Sequence, residues 1–246
     1  MHKATFTARL LALGALLGAC GAALAGSFEV NPIRVELSTA SRSAALAVRN
    51  TGPAAVVVQL NAQAWSQQGG KDVLTDTRDV LLSPTVATIA PGAEQIVRVG
   101  LRRAPDAQRE LSYRLFIQEV PPPPQPGFQG LVVALRVGLP VFVQPAQGPA
   151  KATLVWNAAL TAPDTVRVTV ENKGTGHVQV SSLELFAPQG AEALAAHSGL
   201  AYVLPGQGRE WNLKLRQSGV AGGDRLLMKV ATDAGSISTE LDLAGK

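Results

Sequence analysis

From Phe28 onward the chain is a succession of short runs rich in Val, Ile, Leu and Thr, each cut off by proline, glycine or asparagine. No stretch there carries apolar residues at helical spacing, so the core must be built from strands. The runs are Phe28–Leu37, Ala44–Asn50, Val56–Trp65, Leu81–Ile89, Gln95–Leu101 and Leu111–Val120. Asn50-Thr51-Gly52-Pro53 and Pro91-Gly92 are the clearest turns between them. Residues 66–79 are polar around Gly69-Gly70 and read as a loop holding a short strand. This spacing of strands and turns predicts an immunoglobulin-like sandwich.

After the linker Pro145-Ala146-Gln147-Gly148-Pro149 the cycle restarts. Ala152–Trp156, Val166–Glu171, Val178–Phe186, Tyr202–Leu204, Trp211–Leu215, Leu226–Ala231 and Ser236–Leu243 predict a second sandwich. A Pro205-Gly206 turn echoes the earlier Pro91-Gly92. The expected fold is therefore all-β, with two immunoglobulin-like β-sandwich domains in series over residues 26–145 and 146–246. Residues 191–199 read as loop.

One run is unusual. Gly130–Pro145, G-L-V-V-A-L-R-V-G-L-P-V-F-V-Q-P, is apolar on both faces of the strand it predicts. Leu131, Val133 and Leu135 point one way, and Val132, Ala134 and Arg136 the other. Pro140 has no N–H for a ladder and belongs at an edge or bulge. The run is either an ordinary core strand or an edge strand with one apolar row turned outward. A long apolar edge invites pairing with another chain.

The first 25 residues hold His2, Lys3 and Arg9, an apolar stretch 10–17 and the small-x-small site Ala23-Leu24-Ala25. That is a secretory signal peptide, with cleavage expected after Ala25. Leu17-Gly18-Ala19-Cys20 offers a rival lipoprotein site, with Cys20 lipidated. Cys20 is the sole cysteine, so the exported domains would rely on their cores rather than on disulfides. The formal charge is +4, and loss of Lys3 and Arg9 with the signal would lower it further. With no run of like charges, nucleic acid is not an expected partner. The remaining histidines, His177 after a glycine-rich turn and His197, read as solvent-exposed. They suggest no metal site, and no nucleophile elbow or phosphate loop appears. Neither an enzyme nor a cofactor is expected.

The order A-Q-A-W ending at Trp65, L-S-P at 82–84, A-P-G-A-E-Q-I-V-R-V at 90–99, E-L-S-Y-R-L-F-I-Q-E-V-P at 110–121 and L-V-V-A-L-R-V-G-L-P-V-F-V at 131–143 resembles periplasmic pilus-assembly chaperones. The wording of the last two blocks is most similar to the archaic, spore-coat-U-associated branch. The resemblance implies a periplasmic chaperone that holds pilin subunits by donor-strand complementation and delivers them to an outer-membrane usher. It implies a donor row of Leu131, Val133 and Leu135. It also implies a basic anchor for the pilin's C-terminal carboxylate. Arg34 matches the anchor's first-strand arginine. Pro140 stands where the family has lysine, so Arg114 and Arg136 are the substitutes. Glu110 matches the acid of an interdomain charge cluster, but Gln144 replaces its usual arginine. Self-association of the pilin-free protein is a further expectation. The competing reading is a non-catalytic two-domain adhesion or scaffold protein, lipid-anchored if Cys20 is modified.

Overall fold

The computed structural model describes residues 28–123, 133–216 and 219–245. The expected signal segment, the proline-rich loop at 124–127 and Leu131 lie outside the described residues. Among the described residues every regular element is a strand.

The first domain is a two-layer sandwich. One sheet has the order β1-β3-β8-β6, made of Phe28–Asn31, Ser43–Asn50, Glu94–Leu101 and Val80–Ser83. The other has the order β2-β10-β9-β4-β5: Val35–Leu37, Arg136–Val143, Leu111–Glu119, Val56–Gln68 and Lys71–Asp76. Strand β7 (Val86–Ile89) pairs with the first half of β4. Alternate residues Leu46, Val48, Val58, Leu60, Val97, Val99, Leu115, Ile117, Leu139 and Val141 close the space between the sheets. Such side chains contribute roughly 1.5–3 kcal/mol each on burial.

The second domain has β11 (Leu154–Ala162), β12 (Thr165–Asn172), β13 (Val178–Phe186), β14 (Ala193–Val203), β15 (Gly208–Lys214), β16 (Arg225–Thr232) and β17 (Gly235–Ala244). Its two layers are one continuous sheet, β14-β13-β16-β17-β11-β12-β15, folded over on itself. The fold line is a short parallel pairing of Ala158 and Ala159 with Leu243 and Ala244. Residues 193–199, read from sequence as loop, belong to β14. The local alternation is hidden there because two irregularities in the β13–β14 register break its period.

Both domains use the same corner. Asn50 ends β3 fully buried, donating to the carbonyls of Ala54 and Ile89 and accepting from Gly52 N–H. Asn172 ends β12 likewise, donating to Gly176 and Val203 and accepting from Gly174 N–H. In each case the glycine of the partner Pro-Gly turn, Gly92 or Gly206, donates its N–H to that asparagine's carbonyl. Both glycines sit at φ near +70°, where a Cβ would be strained. In the second domain this corner carries Thr175, Gly176 and His177 up against the first domain.

The hairpin β4–β5 differs from expectation too. Strand β4 runs on past Trp65 to Gln68, and Gly69-Gly70 forms the tight turn into β5. Both glycines have positive φ, as a two-residue hairpin turn needs.

Candidate functional site

The outer face of the β2-β10-β9-β4 sheet meets the second domain. Trp65, Phe142 and Leu204 are buried together with Tyr202 packed beside them, forming an apolar joint between the domains. The Trp65 and Tyr202 rings meet edge to face at 5.3 Å, a favoured aromatic geometry.

Polar groups close the joint on two sides. On one, the buried Gln67 side chain donates to the Tyr202 carbonyl and to Asp72, and accepts from Leu204 N–H. Arg209 reaches across to Asp72 at 2.6 Å. Burial alone would raise the Asp72 pKa, but the bonds from Gln67 and the Arg209 charge outweigh it and leave the carboxyl lowered. On the other side Glu110 N–H donates to the Thr175 carbonyl, and Glu110 Oε1 lies 2.7 Å from His177 Nδ1. The His177 ring stacks on Phe142 at 3.5 Å and 8°.

His177 is thus not solvent-exposed, as its glycine-rich surroundings suggest in sequence. Its side chain is 10% exposed and that of Glu110 1%. Among the described residues it is the side-chain partner of Glu110, which the other domain thus supplies. His197 lies half-buried in β14, 6.3 Å from the Trp211 ring, and not in a solvent loop.

Strand register places the three arginines. Pro140 stands opposite Arg114, and Arg114 opposite Gln63. On the other side β2 runs parallel to β10 with Val35 opposite Val141, so Arg34 comes level with Pro140. Arg34 and Arg114 therefore flank Pro140 in one row, two strand spacings or about 9.5 Å apart. Both point to the cleft face, because Val35 and Leu115 beside them point into the core. Arg34 bonds to Asp233 and His177, each at 3.4 Å. The Arg114 guanidinium sits 3.8 Å over the Trp65 ring and 5.5 Å from the Tyr202 ring. Burial lowers its pKa, and among the described residues no carboxylate bonds to it. A desolvated guanidinium held by aromatic faces is a strong hydrogen-bond donor to an incoming anion.

Arg136 does not join them. It faces Gln118, four residues along β9 from Arg114, about 13 Å away. Its guanidinium lies 4.1 Å over the Phe116 ring. Phe116 in turn lies across Gly138, where a Cβ would come within 3.0 Å of the ring. The glycine thus makes room for an aromatic side chain that holds Arg136 outside the cleft.

The long strand expected over 130–145 is shorter. Pairing starts at Arg136, and Leu135 precedes it with its carbonyl accepting from Glu119 N–H and its own N–H on the Glu119 carboxylate. Of the expected donor row, Val133 is 58% exposed and Leu135 is half-buried against the first-domain core. The same parity continues inward as Val137, Leu139, Val141 and Val143.

The free side of β10 can be read from its bonds. The Leu135–Glu119 bond puts odd-numbered residues in the hydrogen-bonded pairs with β9, so even-numbered groups point the other way. Gln144 N–H accordingly donates to Leu37 of β2. Strand β2 covers only Val141–Val143. Among the described residues no strand pairs the far side of Arg136–Pro140. That edge offers the N–H of Arg136 and Gly138, and Pro140 ends the row of donors.

These features define a two-domain immunoglobulin-like protein with an open apolar strand edge leading to a basic cleft. The pattern of the family described as pili and flagellar-assembly chaperone, PapD N-terminal domain, matches residues 27–149, and the chain belongs to that family. Solved structures agree in fold. The complex of the chaperone CsuC with the tip subunit CsuE, from archaic chaperone–usher Csu pili of Acinetobacter baumannii, superposes with a TM-score of 0.67 at 19% identity. The match covers 88% of this chain and 99% of that one. The CupB2 chaperone of Pseudomonas aeruginosa gives 0.55 at 21% identity over 88% and 100% of the two chains. The Salmonella enterica SafB chaperone with the SafA pilin gives 0.58 at 20% identity over 88% and 95%. No curated protein matches the sequence significantly.

Proposed function

We propose that this protein is a periplasmic pilus chaperone, exported by residues 1–25, that captures pilin subunits and passes them to an outer-membrane usher. Capture is by strand donation. The edge of β10 supplies backbone hydrogen bonds, and the row Leu131, Val133 and Leu135 fills the pilin's open groove. The observation that carries this reading is the row Arg34–Pro140–Arg114. A guest strand running parallel to β10, collinear with β2, meets its last backbone donor at Gly138 and then two guanidinium groups. A free C-terminal carboxylate fits that position, bound by charge-assisted hydrogen bonds worth roughly 1.5–3 kcal/mol. Arg136 takes no part in this anchor.

Co-expression with the pilin of the same gene cluster tests the reading. A stable one-to-one complex is expected, and Arg114→Ala should weaken it about tenfold or more without changing the chaperone's melting temperature. A pilin extended beyond its natural C-terminus should bind wild type weakly and lose little more with Arg114→Ala. Additive losses would remove Arg114 from the anchor.

A further inference from the structure

His177 touches both the interdomain joint and the anchor. Its Nδ1 lies 2.7 Å from Glu110 Oε1 and its Nε2 3.4 Å from Arg34 Nη1, the same nitrogen that donates to Asp233 at 3.4 Å. A carboxylate only accepts and a guanidinium only donates. The ring satisfies both neighbours in one form alone: neutral, with the proton on Nδ1 donated to Glu110 and the Nε2 lone pair accepting from Arg34. The Glu110 carboxylate, nearly sealed from solvent, fixes that tautomer, and the Phe142 ring beneath fixes the imidazole plane. The charged groups facing the ring are Glu110, just before β9, and Arg34, just before β2. Asp233, from the β16–β17 turn, reaches it only through Arg34.

We propose that His177 is a positioning residue for Arg34: the second domain, through this ring, sets the direction of an anchor that the first domain carries. Together with Asp233, which accepts from Gln179 N–H as well as from Arg34, it holds the guanidinium by its Nη1 nitrogen. Binding of a carboxylate at Arg34 and docking of the two domains are then one linked event. The inference rests on the reading of Arg34 as an anchor, but the ring's effect on the guanidinium can be measured apart from pilin.

Two substitutions separate positioning from packing. His177→Gln can donate an amide N–H to Glu110 and accept from Arg34 through its carbonyl, but loses the stacked ring. His177→Phe keeps the stack on Phe142 and loses both bonds. With the pilin of the same gene cluster as probe, His177→Gln should hold capture within about threefold of wild type. His177→Phe should lose about tenfold, as much as Arg34→Ala, and the double variant no more. The opposite order, Phe tolerated and Gln not, would make His177 a packing residue and overturn the proposal. NMR of the pilin-free protein gives the second readout. The ring nitrogens should report the Nδ1–H tautomer, and the Arg34 guanidinium should be restricted in wild type and His177→Gln and freely rotating in His177→Phe. The other tautomer in wild type, or an Arg34 signal indifferent to residue 177, overturns the proposal even if a variant folds poorly. A restricted Arg34 together with undiminished capture by Arg34→Ala would leave the positioning role standing and remove the anchor reading instead.

Discussion

Strands β10 and β17 are each the last strand of their domain, and each is joined to its domain's first strands only at its far end. Their open stretches are handled differently. Along β17 the exposed side chains ahead of its pairing with β11 are Ser236, Ser238, Glu240 and Asp242, and Arg225 on the neighbouring strand bridges the two acids. Polar and charged residues of this kind keep an edge from recruiting another strand. The approach to β10 carries Val133 and Leu135 instead, with no acid and only Arg136 beyond, itself laid over Phe116. Two edges of the same geometry, one protected and one left apolar, point to a partner for the second. The architecture is shared; the side chains assign the roles.

The largest effect expected is within β10. Leu139 is 4% exposed and belongs to the first-domain core, so Leu139→Ala should remove about 2–5 kcal/mol of that domain's stability in denaturant unfolding. A loss under about 1 kcal/mol would mean that this half of the strand serves a guest as well. Next, Val133→Asp should weaken pilin capture by about 1.5–3 kcal/mol or more while the melting temperature stays put. The matching change on the protected edge, Ser238→Asp, should alter neither beyond about 0.5 kcal/mol. Equal effects at the two sites would erase the distinction between the edges. The smallest effect is self-association of pilin-free protein, seen as a rising sedimentation coefficient with concentration. Val133→Lys should abolish it and Ser238→Lys leave it unchanged; a strictly monomeric wild type would show that the apolar approach is already covered.

The sandwich pattern was open to sequence reading because most strands, β14 apart, alternate locally and the turns carry their own chemistry. Arg34 and Arg114 came into the reading through the family resemblance, and strand parity agrees by putting them on the face away from Val35 and Leu115. The joint was not legible. His177 and Glu110 are 67 residues apart, and nothing near either one shows the other. A signal did exist, in that an acid before a core strand, with Gln144 where the resemblance expects its arginine partner, must find another cation or donor. The separation of Arg136 from the other two could not be read, because it depends on Phe116 lying over Gly138, a contact between strands. A glycine inside a strand opposite an aromatic residue could have warned of it.

Pro140 has one more consequence. In the anchor proposed above, the row of backbone donors stops there and the two cations stand beside it, so a guest would be measured from its carboxyl end backward. Nothing in this arrangement reads the guest's length, its head or its surface. Subunits that differ in everything but a free terminus and an alternating final strand would fit one chaperone equally well, and a subunit one residue longer would present every side chain to the wrong face. Such a chaperone is general toward bodies and strict toward ends.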